Sequence, residues 1–192
     1  MKQFFLWAVV LSALCSSCET ADETFLEEKN NAHYATAKHS GEWNDYEVYQ
    51  NIVNTFVYDM QQTHQENLTR FEQHVNFVMV DEVYEPIDFE KLWLLENTEE
   101  HFVEQLSYSM LTKEAIYKIL NQSFDPEVMT LPGNEPERRL IATLFVLYNN
   151  ENGDDGDDEW KNKKTIAFAY GAQYSLTQAV LYAGAVELKR YQ

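Results

Sequence analysis

Residues 165–186 read TIAFAYGAQYSLTQAVLYAGAV, twenty-two positions without one charged side chain, and the reading of this run decides the architecture. It has the length of a bilayer-spanning helix. Its middle, however, carries Gln173, Ser175, Thr177 and Gln178, and Ala stands at many positions where a span would have Leu or Ile. A helix buried on nearly all sides among other helices explains the missing charge equally well and tolerates those polar groups. With its flanks the run predicts a last helix from about Trp160 to Tyr191, whose Lys189 and Arg190 face the negative end of its dipole.

Two rows repeat every four residues along this segment. Ala167, Gly171, Ser175, Ala179 and Ala183 form a small-residue stripe that lets a neighbouring helix approach closely. Beside it, Tyr170, Tyr174, Gln178 and Tyr182 offer three phenols and an amide. Such a row lines a pocket for a small polar or aromatic ligand if it faces a cavity. Otherwise it is core, with hydroxyls reaching the edge of the bundle.

Upstream, Tyr46, Tyr49, Val53, Phe56, Met60, His64, Leu68, Phe71, Val75 and Val78 step by three or four, which predicts a long amphipathic first helix beginning near Trp43. A short helix is expected around Asp88 to Leu95. Asn97 with Glu100 resembles the start of a third helix whose stripe is Phe102, Val103, Leu106 and Met110. Thr112 then caps a fourth, and Asp125-Pro126 looks like a further, short one. Asn134 with Glu137 starts the next, through Leu140, Leu144 and Leu147. No alternation demands a sheet, so the expected fold is all-α: an antiparallel bundle of about five helices with a long first and a largely buried last helix.

The chain has 192 residues, 45% of them apolar and 14% aromatic, enough to bury a core. Its formal charge is −18, with 32 acidic against 14 basic residues. A nucleic-acid partner is therefore not expected, because phosphate binding needs clustered Lys and Arg. The acidic surface serves solubility or favours basic partners.

The amino terminus has a different pattern. Met1-Lys2-Gln3 precedes the apolar run Phe4 to Leu14, and Cys15-Ser-Ser-Cys18 follows. One positive charge, a short apolar core and small residues form a secretory signal too short to span a bilayer. Both cysteines of the chain lie here, so the rest contains no intramolecular disulfide. This segment resembles bacterial lipoprotein signals, in which a small-residue stretch ends at a cysteine that is lipidated and becomes the new N-terminus. Cys18, preceded by Ser16-Ser17, fits better than Cys15, preceded by Leu14. The resemblance implies a signal peptide over 1–17, a lipid on Cys18 and a polar tether over 18–42 leading to one helical domain over 43–192. Glu19, Asp22 and Glu23 behind the cysteine resemble surface-export signals of some lipoproteins, and the residue directly after Cys18 is not the Asp associated with inner-membrane retention; this resemblance implies the outer membrane, on its periplasmic or surface face.

Chemistry-bearing motifs are sparse. In EF-hand register the acidic stretch 151–159 offers Asn150, Asn152, Asp154 and Glu159, but Tyr148 fills the first ligand position, so a solvated turn is expected. His64 reads as a hydrogen-bonded core histidine, and His101 with Glu104 is a single pair with no HExxH or di-iron pattern. P-loop, GxGxxG and GxSxG motifs are absent. The expectation is no metal, no cofactor and no catalytic residue. The favoured reading is a non-enzymatic accessory lipoprotein docking on another envelope protein. An acidic immunity-type inhibitor of a basic toxin or hydrolase and a small-ligand-binding lipoprotein are the alternatives.

Overall fold

Capping side chains cut the two longest helical patterns into pairs. In the computed structural model, which describes residues 45–80, 82–150 and 158–191, the first pattern becomes α1 (Asp45–Thr55) and α2 (His64–Val78). The single long first helix is thereby corrected. Thr63 and Glu66 close a capping box: the Thr63 hydroxyl accepts from the Glu66 N–H, and the Thr63 N–H donates to the Glu66 carboxylate at 2.8 Å. The turn is locked from inside by Asn67, fully buried, whose side chain accepts from the Asp59 N–H and donates to the Asp59 carbonyl, both at 2.9 Å.

The expected short helix is α3 (Phe89–Glu96), capped by the Asp88 carboxylate, which accepts from the Glu90 and Lys91 N–H groups. A helix starting at Asn97 is not what forms. Asn97 ends α3, a 3-10 helix occupies Glu100–Gln105, and α4 (Met110–Leu120) starts at Ser109, whose hydroxyl accepts from Thr112 N–H. Thr112 lies inside the first turn rather than capping it. Asp125-Pro126 makes a turn and no helix, its carbonyl accepting from the Val128 and Met129 N–H groups. Asn134 does cap α5 (Glu135–Asn149), accepting from Glu137 N–H at 2.8 Å.

The last predicted helix is also two: α6 (Asp158–Ala172) and α7 (Leu176–Leu188), followed by a 3-10 turn, Lys189–Tyr191. Ser175 caps α7, its hydroxyl accepting from Gln178 N–H at 3.0 Å. Gln173 tucks its side chain back, Nε2 donating to the Tyr170 carbonyl at 3.1 Å and Oε1 accepting from Ser107 N–H. The polar residues in the middle of the uncharged run are thus a corner.

α7 is the centre of the bundle. Ten of its residues are buried, from Thr177 to Leu188, and it touches α1, α2, α3 and α6, while α5 packs on α4, α6 and α1. A helix surrounded in this way is apolar on every side, which is why it shows no stripe. The described residues form an all-helical bundle with seven α-helices and no strand among them, and its buried last helix agrees with the sequence reading. No described helix is long and apolar enough to cross a membrane. The signal segment, Cys18, the tether and the acidic loop through Asp157 lie outside the described residues.

Candidate docking surface

The small-residue row lies on two helices, folded back at Ser175. Gly171 of α6 and Ala179 of α7 stand four residues either side of it, and a Cβ added to Gly171 would come within 2.5 Å of the Ala179 Cα. Ala167 and Ala183, one turn further on each helix, are fully buried. The stripe therefore marks a close helix contact, but the neighbour is the other half of the same run.

The tyrosine row folds back with it. The ring of Tyr170 lies 5.5 Å from Tyr174 and 5.3 Å from Tyr182, both edge-on, and 6.1 Å from Phe102. Gln178 turns away and donates to the Glu85 carboxylate at 2.9 Å. Burial raises the Tyr170 and Tyr182 phenols above their ordinary pKa, so both stay protonated at neutral pH. These rings pack on one another. Tyr174, 67% exposed, is the member that faces water.

The remaining polar candidates are structural as well. His64 opens α2, its Nδ1 is 3.3 Å from the Tyr58 hydroxyl, and burial pushes its pKa down. His101 pairs at 3.4 Å with Glu99, which is not the Glu104 of the sequence pairing. Glu159 stands in the first turn of α6, paired with Lys163 at 2.5 Å. Among the described residues no group of three or more His, Cys, Asp or Glu is placed to hold a metal ion. The Glu137 carboxylate accepts hydrogen bonds from both the Ser109 and Thr112 hydroxyls and so ties α5 to the start of α4.

An open cleft of about 730 Å³ is bordered by Glu99, Glu100, His101, Glu159 and Asn162. Asn162 donates to Glu100 at 3.2 Å across it. It is acidic and open to solvent.

The feature without a structural role is on α3. This helix, FEKLWLLE, has five apolar residues in eight, more than one buried face can take. Leu92 and Leu95 enter the core, leaving Phe89, Trp93 and Leu94 outside, with Trp93 63% exposed. Together with Glu90 they border a shallow, open groove of about 470 Å³. Seven of the exposed large apolar side chains fall within residues 77–94: Phe77, Val80, Val83, Tyr84, Phe89, Trp93 and Leu94. Scattered exposed apolar residues are ordinary, but Phe89, Trp93 and Leu94 border one groove, and an exposed Trp with apolar neighbours has the composition of an interface core.

This surface is held rigidly. The loop before α3 is clamped to α2 by Glu72, which accepts from the Tyr84 hydroxyl at 2.6 Å and the Ile87 N–H at 2.7 Å. Asn76 of α2 brackets Glu85, donating to its carbonyl at 3.0 Å and accepting from its N–H at 2.9 Å. On the other side Glu82 receives the Thr177 hydroxyl and N–H at the start of α7, where its charge meets the positive end of the helix dipole. A rigid apolar face loses little conformational entropy on binding.

Compared with protein-family models, characterised proteins and solved structures, the chain matches none.

Proposed function

We propose that this chain is a non-enzymatic lipoprotein of the bacterial cell envelope, anchored in the outer membrane by a lipid on Cys18, whose helical domain docks on another envelope protein as an accessory module. The observation that carries the docking reading is the exposed α3 face, with Phe89, Trp93 and Leu94 in water on a backbone held by Glu72 and Asn76. Covering Trp93 alone would remove about 150 Å² of apolar surface from water, roughly 3–4 kcal/mol before the costs of association. The membrane part rests on the signal pattern ending at Cys18.

The acidic cleft around Glu99 and Glu100 favours the second reading, an inhibitor that receives basic side chains of a toxin or hydrolase. One experiment separates the two. In-cell crosslinking followed by affinity capture is run on the native chain, on Trp93→Ala and on Glu100→Gln. An envelope membrane protein captured with the native chain and with Glu100→Gln, but lost with Trp93→Ala, supports docking. A basic enzyme lost only with Glu100→Gln supports inhibition and removes the accessory role.

A further inference from the structure

The segment 77–94, which contains the α3 groove, is rich in negative charge. Glu82, Glu85, Asp88 and Glu90 lie within it against one basic residue, Lys91, and the whole chain carries −18. Several of these carboxylates are fixed by hydrogen bonds, Glu85 to Gln178 and Asp88 to the α3 N–H groups, so the charge stays in place when a partner arrives. Glu90 is exposed beside Trp93 on the rim of the groove.

Resting on the docking reading above, we propose that the α3 face recognises a basic amphipathic segment of its partner protein, with apolar side chains that cover Phe89, Trp93 and Leu94 and Lys or Arg residues that meet Glu90 on the rim of the groove and the net negative charge of the surrounding segment. Charge selects this occupant over the others. A second copy of the chain joined through the same face would bring two acidic rims together, because a two-fold interface is built from the same patch on both sides. A membrane bearing anionic headgroups is repelled by the same rim. An apolar centre inside a charged rim also divides the work: the centre supplies affinity, and the rim supplies selectivity and salt-sensitive association.

The test uses the full chain, purified from membranes and held in zwitterionic nanodiscs. Three labelled 18-residue peptides are titrated by fluorescence anisotropy: one with a Leu/Phe face and a Lys face, one with the same apolar face and Glu in place of Lys, and one with the Lys composition scrambled. Empty nanodiscs and nanodiscs containing anionic lipid serve as references.

The Lys-faced peptide is expected to bind at least tenfold more tightly than either other peptide and to weaken at least threefold between 50 and 500 mM salt, magnitudes typical of electrostatic selection at a rim. Trp93→Ala should weaken it at least tenfold. Trp93 and Glu90 both sit at exposed positions, so substitutions there leave the core intact, and an unchanged circular dichroism spectrum checks that the fold is kept. Glu90→Lys should narrow the preference for Lys over Glu without loss of the apolar contact. Equal binding of the Lys- and Glu-faced peptides, or binding that is indifferent to Trp93→Ala, overturns the proposal, as does self-association or anionic-lipid binding through Trp93. If in-cell capture still depends on Trp93 while the peptides show no charge preference, the basic partner falls and the docking function stands. If capture does not depend on Trp93 either, both fall.

Discussion

Replacing Gly171 by Ala adds a single carbon where α6 crosses α7. That Cβ would lie 2.5 Å from the Ala179 Cα and press on the Gln178 carbonyl group, and an ordinary carbon contact is about 3.5–4.0 Å. Both obstacles are backbone, so no rotamer change gives relief, and the two helices must part by about 1 Å. Overpacking of this kind costs about 1–3 kcal/mol, and the separation loosens a hairpin that packs against all five other α-helices described. The helix-forming gain of Ala over Gly, at most about 1 kcal/mol and less here, one residue from the end of α6, offsets part of it. A net loss of about 2 kcal/mol is expected. Gly184→Ala is the comparison: its Cβ would come within 2.6 Å of a Phe71 ring carbon, a side-chain obstacle that can be trimmed. Thermal and urea unfolding of the chain from Glu19 onward are the assays. Gly171→Ala should lower the midpoint by about 4–8 °C, at roughly 2–4 °C per kcal/mol for a domain of this size. Phe71→Leu should recover part of the loss in Gly184→Ala and none in Gly171→Ala. An unchanged or raised midpoint for Gly171→Ala would refute the backbone contact between α6 and α7.

Metabolic labelling with a fatty acid should survive Cys15→Ser and disappear with Cys18→Ser, and equal labelling of both variants would sink the assignment of the anchor. Acidification should destabilise the domain in two stages. Burial lowers the pKa of His64 and His74, so the unfolded chain binds protons that the folded chain refuses and stability falls as pH drops below about 6.5. Burial of Glu137 acts to raise its pKa, but hydrogen bonds from Ser109, Thr112 and Asn134 outweigh it and leave the value lowered. Its stabilisation is present above the usual carboxylate range and is lost as pH falls through the lowered folded value. Urea midpoints against pH should show both stages, and Glu137→Gln should flatten the acid one and cost about 1 kcal/mol at neutral pH; a midpoint that rises on acidification contradicts this. The 151–159 stretch should bind no calcium at micromolar concentration by calorimetry, and a stoichiometric ion lost with Glu159→Gln would overturn that expectation.

Fold class was legible because helical spacing and caps such as Asn134 act locally, and the charge-free run 165–186 marked the most buried stretch among the described residues. What periodicity concealed were the corners. Tyr46 to Val78 keeps its step of three or four straight through the Asp59–Thr63 turn, and the two small-residue and tyrosine rows run unbroken across Ser175. In each case the local signal was present: Thr63-x-x-Glu66 is a capping box, and Ser175-x-x-Gln178 has the same pattern. A row symmetric about a corner looks the same whether the helix continues or folds back, because residues equidistant from the turn meet again across the hairpin. The docking face was missed for a different reason. Leu92 to Leu95 is an unbroken apolar run in which every position looks equally suited to the core, but contiguous positions on a helix cannot share one face, and which of them stays outside is decided by tertiary packing.

Whether Trp93 is covered by another protein in the cell is read out by a photo-crosslinking amino acid placed at that position in living cells. Val128, equally apolar and 80% exposed, is the control site. One discrete protein adduct is expected from position 93, carrying a basic segment at the crosslinked site, and none from position 128. No adduct at 93, or the same products from both positions, would contradict the docking reading.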